Sequence, residues 1–153
     1  MTEVTLEQVQ AKQAELAALI ARLTEPKTVT LSLPAASIQL HAGEHYAGTV
    51  LDADGNILHH LVLMAPRPDG DLDWDDATAW AEAAGGALPT RQEQALLFAN
   101  CKPHLQPEWH WSSETHESDA SYAWLCFFTD GYQLNGFRKS AEGAAVAVRR
   151  VTP

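Results

Sequence analysis

The sequence predicts an α+β domain carried behind an N-terminal helix. Three observations lead there: an apolar heptad near the N-terminus, alternating apolar runs on either side of a central helical stretch, and turn or cap residues wherever the period changes. With 153 residues the chain has one domain's worth of sequence, enough to bury roughly two thirds of the surface its unfolded form would expose. Apolar residues make up 46% and charged residues 20%, an ordinary globular composition that needs no metal or disulfide staple.

Leu6, Val9, Gln13, Leu16, Ile20 and Leu23 stand three and four residues apart, at the a and d positions of a heptad, and predict a helix closed by Pro26 and Lys27. A helix of this length is marginal alone, so its seam has to be covered. Two positions per heptad make a stripe too thin for a globular core helix, which favours self-association over packing on the chain's own domain. Gln13, polar at a central a position, would fix the register. Residues 1–26 are therefore expected to be an oligomerisation coiled coil, with a homo-trimer favoured, and 27–153 to be the head.

Beyond Pro26 the pattern alternates. Val29, Leu31 and Leu33 predict a strand, Pro34-Ala35-Ala36 breaks it, and Ile38 and Leu40 are candidates to resume it. The runs His45 to Leu51 and Ile57 to Met64, parted by Asp52-Ala53-Asp54-Gly55-Asn56, predict a hairpin. A loop over 66–70 leads to a helix with Asp73 as its N-cap, Trp74, Ala77, Trp80 and Ala81 or Ala84 as its apolar face, and Gly85-Gly86 as its stop. Thr90 with Glu93 forms a capping box for a second helix running to about Cys101, ended by Lys102-Pro103. Strands follow at Trp109 to Ser113, Tyr122 to Thr129, Tyr132 to Phe137 and Ala144 to Val151, with Asp130-Gly131 as a hairpin turn. The order of elements predicts a mostly antiparallel sheet.

Twenty acidic against ten basic side chains give a net charge of −10, which repels a phosphate backbone and disfavours direct nucleic-acid binding. The N-terminus has no basic region followed by an apolar run, and no segment approaches a membrane span, so membrane insertion is not expected. The chain is expected to be made in, and initially soluble in, the cytoplasm. Cys101 and Cys126 are too few and too far apart for a disulfide framework and are expected to be buried thiols.

Several phrases occur together: Gly43-Glu44-His45-Tyr46-Ala47-Gly48, Leu72-Asp73-Trp74-Asp75-Asp76-Ala77, and Gly85 through Glu93. They continue with Trp109-His110-Trp111-Ser112-Ser113-Glu114, Ala123 through Phe128 up to Gly131, and Ala147 through Val151. Over residues 43 to 151 this set resembles the domain-of-unknown-function family that is common in tailed phages and prophages and that also forms the C-terminal domain of bacterial collagen-like adhesins. The resemblance implies a C-type-lectin-like fold, with two helices flanking a twisted antiparallel sheet and the N- and C-terminal strands close together. It fixes fold better than function, because one scaffold hosts many sites.

Calcium-dependent sugar binding is not expected. Gln106-Pro107-Glu108 is only superficially similar to the Gln-Pro-Asp motif of such lectins, and no Trp-Asn-Asp follows. The Asp69 to Asp75 alternation puts Trp74 where a calcium loop needs glycine and Trp80 where it needs glutamate. His59 and His60 point to opposite faces of a regular strand, so they cannot share an ion, and neither they nor His110 and His116 near Glu114 are expected to hold a metal. Cys126 lies in a run too apolar to stabilise a thiolate, and no nucleophile elbow, phosphate loop or dinucleotide fingerprint is present. The expectation is a non-enzymatic binding protein without cofactor.

Ligand contacts in lectin-like phage proteins of this architecture tend to come from loops and exposed strand faces of the C-terminal half. Here that implies Trp109, His110, Glu114, His116, Tyr122, Tyr132, Gln133, Asn135 and Arg138, a mixture of aromatic and polar groups suited to protein or glycan recognition. The expected function is an oligomeric phage or prophage protein whose head binds a host or virion component. On that reading the chain is made in the host cytoplasm, and association with the virion is left open. The alternative is an intracellular accessory protein that binds and inhibits or regulates a host factor, its acidic surface competing for basic sites.

Overall fold

A computed structural model describes residues 3–26, 28 and 30–153. The chain divides into two compact units, 1–35 and 36–153. In the first, helix α1 spans Leu6–Thr24 and opens on a capping box between Thr5 and Gln8. None of its residues is buried, and the a and d side chains lie open, Leu23 at 83% exposure. The strand expected around Val29 is not found. Val29 itself lies outside the described residues, and Leu31 and Leu33 are exposed and belong to no strand. Ile38 and Leu40 do not resume it. Alternation alone does not make a strand where no neighbouring strand accepts its hydrogen bonds.

The second unit is α+β. Its elements are β1 (His45–Leu51), β2 (Ile57–Leu63), α2 (Trp74–Ala83), α3 (Arg91–Cys101), a 3-10 turn over Lys102–His104, β3 (Trp109–Thr115), β4 (Tyr122–Phe127), β5 (Tyr132–Arg138) and β6 (Val148–Val151). Both expected hairpins form, β1 with β2 and β4 with β5, all pairs antiparallel. In place of one continuous sheet there are two three-stranded sheets, ordered β1-β2-β6 and β3-β4-β5. β6 is also shorter than the Ala144 to Val151 run. Residues 144–147 instead thread between the sheets: Trp111 N donates to Ala144 O, Met64 N donates to Ala147 O, and Ala87 bridges Val148.

That thread explains where the core sits. Its side chains alternate, Val146 and Val148 entering a cluster with Leu61, Leu63, Leu97, Cys126 and Phe128, while Ala145 and Ala147 enter another with Trp111, Leu125, Leu88 and the α2 residues Ala77 and Ala81. A segment buried on both faces between packed layers has room for little more than alanine and valine. The helices start and stop as their caps predict. Asp73 Oδ1 accepts from Asp76 N, and α2 ends in a Schellman motif, Gly86 N donating to Ala81 O and Gly85 N to Glu82 O, with Gly85 in the left-handed region at φ +88°. Thr90 caps α3 through Glu93 N, but the reciprocal half of the expected capping box is absent. The Glu93 carboxylate turns away to the Arg150 guanidinium at 2.8 and 3.0 Å, because a buried carboxylate gains more from a cation than from a backbone N–H.

Candidate functional site: an aromatic cleft with an acidic border

Strand alternation builds the site. The pairings Trp109 with Phe127 and Trp111 with Leu125 place these four on one face of the second sheet. Trp111 and Leu125 are core, and the face continues past them as a cluster of rings. Trp109 stacks on Phe127 with centroids 4.9 Å apart, lies 6.4 Å from Phe137, and meets Tyr132 edge-on at 6.3 Å. Trp109, Phe127 and Phe137 line a cavity of about 240 Å³ together with Pro107, Gly143 and Ala144. Three carboxylates border it: Asp71, Glu108 and Glu142. The reciprocal bridge between Leu72 and Gly143, both hydrogen bonds at 2.9 Å, brings Asp71 and Glu142 to one place from distant parts of the chain. Among the described residues none of these carboxylates makes an ion pair. Arg67 borders an adjoining cavity with Asp71 and Glu108, yet its guanidinium donates to the carbonyls of Met64, Ala65, Pro66 and His104.

The nine expected contact residues do not form one surface. Trp109 lines the cleft, and Tyr132 stands beside it at 60% exposure. His110 is a correction: at 1% exposure it lies on the opposite strand face, tilted against Phe128, its Nδ1 donating to Glu108 O at 2.9 Å. Burial pushes its pKa down to about 4, so it is neutral core. Glu114 and Gln133 hold Arg91. Glu114 Oε2 accepts from Arg91 N at 2.6 Å, while Gln133 accepts from Arg91 Nε and donates to Arg91 O. The same Arg91 guanidinium lies 3.4 Å over the Trp124 ring. His116 Nδ1 accepts from Ser118 N and Asp119 N and so shapes the β3–β4 loop. Tyr122 and Arg138 face each other at 5.6 Å, and Asn135 is half-buried on β5.

Elsewhere the ionisable groups brace the fold. Arg149 donates to both oxygens of Glu44, holding that carboxyl at about 2 against its burial. His59 Nε2 lies 4.0 Å from Glu93 and burial lowers its pKa, while His60, on the other face, shares hydrogen bonds with Tyr46 and Thr49. Cys101 and Cys126 are buried thiols, as expected, and burial pushes Cys126 up to about 11. Among the described residues no group of three or more His, Cys, Asp or Glu side chains is arranged to hold a metal ion. No helix among them is long and apolar enough to cross a membrane.

Sequence reasoning missed Asp71, Glu108, Phe127, Phe137 and Glu142. Phe127 carried a signal, since pairing β3 with β4 in register puts it opposite Trp109. Asp71 and Glu142 carried none, because only the bridge at Leu72 and Gly143 unites them. No family model matches the chain, and no curated protein matches it either.

Proposed function

We propose that the chain is a non-enzymatic recognition protein, a lectin-like head carried in a homo-oligomer by the α1 coiled coil, that binds a protein or glycan of a phage host or of the virion. The observation that carries this reading is the uncovered seam of α1. Leu6, Val9, Leu16, Ile20 and Leu23 repeat at heptad spacing around Gln13, and none is buried. An apolar stripe of that shape is satisfied by a second copy of itself. Linking several heads turns weak single contacts into avidity. The resemblance over residues 43 to 151 supports the lectin-like and phage parts of the reading.

Light scattering on the purified chain tests it. We expect a mass of three chains of 16.7 kDa each, reduced to one by the double substitution Leu16→Glu and Ile20→Glu. A monomeric parent at micromolar concentration would remove the avidity argument. A second reading, an accessory protein that occupies a basic site on a host factor, is favoured by the net charge of −10 and by the three cleft carboxylates that make no ion pair among the described residues. Mass spectrometry of purified particles separates the two, because only the first places the chain in them.

A further inference from the structure

We propose that the Trp109 cleft receives the guanidinium of an arginine side chain displayed by a protein partner. This deepens the recognition reading and rests on it. Four half-buried rings, Trp124, Trp74, Tyr122 and Phe98, each carry one of the chain's own cations, Arg91, Lys139, Arg138 and Lys102 respectively. Among the described residues, Trp109, Phe127 and Phe137 carry none, although theirs is the aromatic surface bordered by three carboxylates. A ring face attracts a cation through its quadrupole, and tryptophan does so most strongly. Carboxylates around the same opening add charge complementarity.

Two further observations narrow the ligand. The cavity of about 240 Å³ is below the usual range of pockets for whole small molecules and suits one side chain. A guanidinium is planar and forked, so it can lie on an indole while donating to carboxylates at its edge, which a compact ammonium cannot do at once. Tyr132, 60% exposed beside the cleft, extends the aromatic surface past the cavity and gives the residues flanking the arginine something to cover. A free cation would leave that surface unused.

The test is a nitrogen-15 NMR titration of the full chain with an N-acetylated, C-amidated Gly-Arg-Gly peptide, beside its citrulline and lysine counterparts. The arginine peptide should shift the Trp109 and Tyr132 resonances, with citrulline, the neutral isostere, binding roughly tenfold more weakly or less well still. Joint substitution Asp71→Asn, Glu108→Gln and Glu142→Gln changes only exposed side chains. It should weaken the arginine peptide by a similar factor while the rest of the spectrum stays in place. Equal binding of citrulline or of lysine, shifts confined to the acidic start of α2, or no shift up to about 10 mM peptide would each overturn the assignment. The Leu16→Glu, Ile20→Glu protein keeps this inference separate from the oligomer. Its per-site affinity should match the parent's, so a monomeric parent that binds, or an oligomer that does not, identifies which claim has failed.

Discussion

At the scale of single residues, two buried ionisable groups set how the fold responds to acid. Glu44 is held at about 2 by the Arg149 guanidinium, below its ordinary value of 4.5, and His110 is held at about 4 by burial, below 6.5. Both are depressed in the folded state, so each contribution is complete above the unfolded pKa and is lost as pH falls through the folded one. Urea denaturation across pH should therefore show stability declining from about 6.5 to 4 through His110 and from about 4.5 to 2 through Glu44. Each step should be on the order of 3 kcal/mol. His110→Gln should shrink the first step, leaving the share of His59, whose pKa burial also lowers, and should leave the second unchanged. The Glu93–Arg150 pair allows a sharper comparison: Arg150→Leu strands a carboxylate that is 1% exposed and should cost about 3 kcal/mol, whereas Glu93→Met with Arg150→Leu should recover most of it. Such roles were poorly legible in the sequence. Glu93 reads as the closing residue of a capping box, and nothing local announces that its carboxylate belongs to a cation 57 positions away. His110 was misplaced for a simpler reason: it sits between Trp109 and Trp111, and the sequence does not say which of the two strand faces is outer.

At the scale of elements, the features that could be read were those encoded by neighbours in sequence. Asp73, Thr90 and the Gly85-Gly86 pair mark helix ends because caps are local hydrogen bonds, and the two hairpins follow from Asp/Gly turns. The division into two sheets and the threading of 144–147 between them were not legible, since an Ala/Val run looks the same in a strand and in a buried connection. Gly86 joins both levels. It closes α2, and a Cβ there would meet the Met64 sulfur and lie 2.6 Å from the carbonyl oxygen of Val148, backbone that the β6 pairing holds in place. Gly86→Ala should cost roughly 1 to 3 kcal/mol by overpacking, seen as a lowered denaturation midpoint with unchanged slope. Gly55→Ala, with nothing within 4 Å but φ +83°, should cost less and leave packing untouched.

At the scale of the whole molecule, the chain consists of a helix that leaves its apolar seam uncovered and a head that buries its own core. The cleft belongs to the head, and the multiplicity proposed above would come from α1. All five tryptophans, at 74, 80, 109, 111 and 124, lie in the head, so near-ultraviolet dichroism reports the head alone while the far-ultraviolet signal also includes α1. Dilution of the full chain, followed at both wavelengths from about 100 µM to about 100 nM, tests the two-part account most directly, because only an associating helix depends on concentration. The account predicts that helical signal falls on dilution while the tryptophan signal stays constant. A helical signal that holds across the whole range, or a tryptophan signal that falls with it, would contradict the account.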